Sequence, residues 1–168
     1  MIYFPISYML KKTHLAIGLA VALYFLPYVK NKFIFIPVVL IASLLPDIDS
    51  AFSGFGRHKV VRPIQFFVKH RGLIHSYTIC IILSLILAFY FPIFALPFFL
   101  GYSFHLLTDS FTVNGIRPFW PFRAVSSGKV VTGGRIDNVI FVTFIILDAF
   151  LIVFLVFSVW NHVINFFV

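Results

Sequence analysis

The chain has 168 residues, of which 61% are hydrophobic and only 11% charged, with a mean hydropathy of +1.06 and a formal net charge of +8. That composition cannot cover a water-soluble surface at this size, so it excludes an ordinary soluble domain and implies an integral membrane protein. The length suits one membrane domain over residues 1–168. The apolar runs are too continuous for the alternation of a membrane β-barrel, which leaves an all-α polytopic transmembrane helical bundle.

In chain order, Met1 to Leu10 are apolar but carry no basic segment ahead of them, and Lys11-Lys12 interrupt where a signal peptide needs its hydrophobic stretch. No cleaved signal is expected, and Met9 is a second candidate start. Five spans follow, at about residues 13–29, 33–45, 73–91, 93–108 and 138–160, against a full crossing of roughly 20 residues. The second and fourth are short, so their cytoplasmic ends are expected to form a recessed pocket.

Orientation follows from the basic residues, which resist translocation in short loops. Lys11, Lys12, Arg57, Lys59, Arg62, Lys69, Arg71, Arg117, Arg123, Lys129 and Arg135 fall on one side of the spans, and only Lys30 and Lys32 on the other. The N-terminus is expected in the cytoplasm and the C-terminus outside, in the plasma (inner) membrane. The same cations fix topology and meet lipid headgroups, and no basic helix carries base-stacking aromatics, so no nucleic acid partner is expected. Cys80, inside the third span, is a packing residue rather than a nucleophile.

The chemistry-bearing residues are concentrated. The chain has five acidic residues, none of them Glu, and six His. Three Asp and four His fall in His14, Pro46-Asp47-Ile48-Asp49, His70-Arg71-Gly72-Leu73-Ile74-His75 and His105-Leu106-Leu107-Thr108-Asp109. In the topology above these four segments reach one membrane face, the cytoplasmic one. His105 and Asp109, four apart, share a helical face. At 1.5 Å per residue, His105 is expected about 6 Å inside its helix, and His75 just inside its own.

One such residue alone is usually a helix-packing partner, but polar groups at that depth each need a partner, and a cation satisfies several at once. Imidazole and carboxylate without thiolate suit a divalent transition metal, zinc first, with manganese or another as alternatives. Seven candidates exceed one catalytic zinc site, so either two ions bind or some residues orient the others. Asp49 is a candidate general base, although it could instead cap the following turn. Arg71 and Arg117 are candidates to clamp an anionic substrate, against an alternative role as topology anchors. Trp120, Phe119 and Phe122 read as an interfacial anchor, Asp137 as a helix N-cap, Asp148 as too deep for the cluster, and His58 and His162 as surface residues.

These motifs carry a resemblance. Thr13-His14 opening the first span, then Pro46-Asp47-Ile48-Asp49, His70-Arg71-Gly72-Leu73-Ile74-His75-Ser76, and Gly101 through Asp109 resemble the family of YdjM-like, membrane-bound metal-dependent hydrolases. The likeness covers about residue 9 to Phe122. It implies a metal hydrolase site at His14, Asp47, Asp49, His70, His75, His105 and Asp109, distantly similar to that of zinc-dependent phospholipases C. The expected function is hydrolysis of a lipid or other amphipathic ester, phosphoesters favoured, at the cytoplasmic membrane face. The alternative is a metal-ion transporter or metal-binding membrane protein without hydrolase activity.

Overall fold

A computed structural model describes residues 9–49 and 73–167. Within them the chain is all-helical: α1 Met9–Phe25, α2 Lys32–Ala42, α3 Tyr77–Tyr90, α4 Pro92–Ser110 and α5 Arg135–Phe167. Short 3-10 turns at Leu26–Tyr28 and Leu45–Asp49 follow α1 and α2. The described residues contain no strand, only isolated bridges pairing Thr112 with Val130 and Ile116 with Ser126.

The helix limits differ from the expected spans where local chemistry decides. α1 starts at Met9, so Lys11 and Lys12 lie within it rather than ahead of it, and His14 lies beyond its first turn. α2 stops at Ala42, short of the expected Leu45. Pro46 has no N–H to donate back to the Ala42 carbonyl, so the α-helical ladder cannot continue through it, and the backbone tightens into the 3-10 turn. α3 begins at Tyr77 instead of Leu73. The Ser76 side chain accepts from the Ile79 N–H and so caps the first turn, which leaves His75 in the turn ahead of the helix.

Of the five helices, only the Arg135–Ser158 stretch of α5 is long and apolar enough to cross a bilayer on length and composition. α3 is apolar but shorter. α5 packs mainly on α1, α2 on α4, and α4 on α3.

Contacts fix the helix directions. Thr13 of α1 meets Asp137 of α5, so these two begin at the same end. The Tyr77 hydroxyl at the start of α3 donates to the Ser103 carbonyl late in α4, and His105 meets the end of α2. The starts of α1, α3 and α5 and the ends of α2 and α4 therefore gather at one end of the bundle.

Small residues allow that gathering, as is usual where helices pack without a hydrophobic driving force. A Cβ on Gly101 would lie 2.3 Å from the Val39 carbonyl oxygen and 2.9 Å from the Ala42 Cβ, so α4 lies directly on α2 there. Beyond α4 the chain folds back on itself. Val113 N–H donates to Val130 O, and Ile116 and Ser126 exchange both backbone hydrogen bonds at 2.9 Å. Gly115 has φ +59 at this crossing, and a Cβ there would strike Ser126 O. The loop is pinned to α3 by Tyr77 N–H donating to Pro118 O and by the Thr78 hydroxyl donating to Trp120 O.

Candidate metal centre

Four segments contribute to a cluster at the end where the helices gather. α1 supplies His14, the turn after α2 supplies Asp47, the turn ahead of α3 supplies His75, and α4 supplies His105 and Asp109. His14, His75, His105 and Asp109 are buried, while Asp47 is 20% exposed and forms the open side.

Each position has a local cause. Tyr102 and the Ser76 hydroxyl donate to the Ile74 and Leu73 carbonyls, fixing the turn that holds His75. The end of α2 leaves main-chain carbonyls without helical partners, and one of them, Ser43 O, meets His105 Nδ1 at 2.7 Å. A carbonyl only accepts, so Nδ1 carries the proton and Nε2 presents its lone pair to the cluster. This is the usual support for a metal-ligating His.

The donor atoms face one another. His14 Nε2 is 3.5 Å from Asp109 Oδ1, and His75 Nε2 and His105 Nε2 are each 3.7 Å from Asp109 Oδ2. His75 Nε2 is 3.8 Å from Asp47 Oδ1. The His14 and His105 rings stack with centroids 3.9 Å apart. These separations exceed hydrogen-bond length. They lie at or slightly above the spacing of about 3.3–3.6 Å between ligands bonded at about 2.0–2.2 Å to one tetrahedral ion, so a small inward movement of the side chains would let them share one.

Two overlapping groups, His14, Asp47 and His105, and His75, His105 and Asp109, each bring three donor atoms within 4.8 Å of one another and could hold a metal ion. Among the described residues neither His14 nitrogen nor His105 Nε2 has a hydrogen bond. Buried polar atoms are rarely left so, and a cation would satisfy them. Burial raises the Asp47 pKa, but the neighbouring His75, His105 and His14 side chains outweigh it and hold the group at about 2. Asp47 is thus an anionic donor at neutral pH.

The structure brings together five of the seven expected metal residues. His58, His70 and Arg71, and the side chains of Asp49 and His162, lie outside the described residues. Arg117 is exposed in the loop after α4 and makes no ion pair among the described residues. Asp148 is buried in α5 and belongs to neither donor group.

His75 corrects one expectation: it reaches the cluster from a turn, not from a helix interior. Asp137 corrects another. It lies in the first turn of α5, not at its N-cap, and accepts from the Thr13 hydroxyl at 2.6 Å and from the Gly133 N–H at 2.9 Å, so it ties α5 to the residue beside His14. Neither that tie nor the Ser43 carbonyl leaves a mark in the sequence pattern. The separation of 124 positions between Thr13 and Asp137 left no local signal.

Comparison with known proteins identifies the family. The model of the YdjM inner membrane protein family matches residues 9–166. Two relatives, each called inner membrane protein YdjM, come from Escherichia coli (strain K12) and Shigella flexneri. Each is 33% identical to the chain over 99 residues, 52% of this chain and 50% of theirs. The chain thus spans about half the length of the curated relatives it matches. No solved structure matches it. The family match runs from the first described residue of α1 nearly to the end of α5 and includes all five converging residues, and the chain belongs to the YdjM inner membrane protein family.

Proposed function

We propose that this inner membrane protein is a metal-dependent hydrolase acting on a lipid or other amphipathic ester, with phosphoesters favoured. The observation that carries the reading is the convergence of His14, Asp47, His75, His105 and Asp109 from four segments, with the His14 nitrogens and His105 Nε2 lacking hydrogen bonds among the described residues. Donors from those five residues would hold a divalent transition metal, zinc or manganese, with the rest of the set orienting the ligands. Such an ion would supply Lewis acidity and an activated water.

His105 favours a single ion. Its Nδ1 is committed to Ser43 O, so only Nε2 can ligate, and the two donor groups that share it describe one centre. Asp47, the donor on the open side, faces incoming substrate. Asp49 is assigned as general base, Arg71 and Arg117 as the clamp for an anionic group, and His70 as a further ligand or orienting partner. The arrangement fits a five-span bundle with a cytoplasmic N-terminus and the site at the cytoplasmic face, the orientation given by the basic residues.

The test is metal content by mass spectrometry on protein purified without chelator, followed by assay against phospholipid and lipid-phosphate panels. About one equivalent of metal, with ester turnover that a chelator abolishes, is expected. Bound metal with no turnover on any ester but with uptake into proteoliposomes would replace the hydrolase with a transporter.

A further inference from the structure

The segment 117–125 stands apart from the rest of the loop between α4 and α5. Ile116 and Ser126 close it with their paired backbone hydrogen bonds, Ile116 is buried, and every residue of 117–125 except Pro118 is exposed. Its tip carries Phe119 (60% exposed), Trp120 (42%) and Phe122 (72%). Arg117 and Arg123 bracket the aromatics, and no acidic residue occurs between Asp109 and Asp137. Three adjacent exposed aromatics on a fixed loop form an apolar projection that water does not favour and that calls for a partner.

Two features identify the partner. Trp and Phe with flanking Arg is the side-chain set that lies at a bilayer surface, rings at headgroup level and guanidinium groups on phosphate. The second is position. Pro118 O and Trp120 O are bonded to Tyr77 N–H and the Thr78 hydroxyl at the start of α3, two and three residues after His75. The projection is therefore held at the metal-cluster end of the bundle, the end expected to lie at the membrane surface.

We infer that the 117–125 loop is a membrane-interface finger that inserts Phe119, Trp120 and Phe122 among anionic phospholipids and gathers them beside the cluster through Arg117 and Arg123. This inference rests on the membrane location and would survive loss of the hydrolase reading. If both hold, it names anionic phospholipids as the substrate pool.

The chain has only two Trp, so Trp160→Phe leaves Trp120 as the sole indole reporter. The full chain is reconstituted in phosphatidylcholine vesicles containing phosphatidylglycerol, with acyl-chain bromines placed on one lipid or the other. Brominated phosphatidylglycerol is expected to quench Trp120 more than the same fraction of brominated phosphatidylcholine. Arg117→Ala/Arg123→Ala should reduce that preference by on the order of tenfold, as two interfacial cations imply, and Arg117→Lys/Arg123→Lys should keep it. Equal quenching by the two lipids would overturn the anionic preference. Trp120 unquenched by either and open to aqueous acrylamide would overturn the finger altogether and point to a protein partner.

Discussion

His105 Nδ1 and the Ser43 carbonyl oxygen stand 2.7 Å apart, joining α4 to the end of α2 at the point where the cluster begins. The contact depends on how closely the two helices approach, and Gly101, one turn earlier on α4, sets that approach against Val39 O. Gly101→Ala would push the end of α2 away. Overpacking of this kind costs about 1–3 kcal/mol, and misplacing the carbonyl that orients a ligating His should weaken metal binding roughly 10- to 100-fold. Melting temperature and a metal titration on the same preparation check both parts. Unchanged metal affinity in a destabilised variant would mean that Ser43 O does not prepare His105.

Asp109 faces three imidazoles, with His14, His75 and His105 each within 3.7 Å. Asp109→Ala removes the carboxylate they share, and Asp109→Asn keeps its shape without its charge. Both should lower metal affinity by about 100-fold or more, beyond the effect of an outer partner, while the helical content by circular dichroism stays near wild type. A variant that folds and still carries a full complement of metal would return Asp109 to helix packing.

Much of this was legible because it rests on composition and helix period. The apolar runs located the helices, and the i, i+4 spacing of His105 and Asp109 placed them on one face. What was missed depends on main-chain termini and on distant pairs. Ser76, a good N-cap, is the local signal that α3 begins at Tyr77 and that His75 lies in a turn. The carbonyl of Ser43 has no side-chain signature. Asp137 looked like a cap because its nearest sequence neighbours suit one, whereas its partner Thr13 becomes adjacent only when α5 packs on α1.

That pairing gives a further prediction. Thr13→Val removes the donor to Asp137 Oδ1 and leaves a buried carboxylate oxygen short of a hydrogen bond, a loss of about 1–3 kcal/mol. Thr13→Ser restores the hydroxyl and should recover most of it. Because Thr13 precedes His14, Thr13→Val should also weaken metal binding, and Thr13→Ser should not. Thermal unfolding with and without added metal separates the two effects. If Thr13→Ser proves as damaging as Thr13→Val, the threonine acts through methyl packing and the link to Asp137 is incidental.

Asp148 is the remaining buried acid among the described residues, and its chemistry argues the other way. It is part of the spanning stretch of α5, and neither carboxyl oxygen has a hydrogen bond among the described residues. An Asp at the centre of a membrane helix costs roughly 2.5–3.5 kcal/mol on insertion scales. Asp148→Leu should therefore stabilise the protein by about 1–3 kcal/mol, the usual size of an unsatisfied buried polar group, and leave metal content unchanged because Asp148 is in neither donor group. Melting temperature, metal content and ester turnover on Asp148→Leu and Asp148→Asn check this together. A stabilised protein with full activity makes Asp148 a cost the fold tolerates. A stabilised protein that keeps its metal but loses turnover would make the acid functional, retained at the expense of stability.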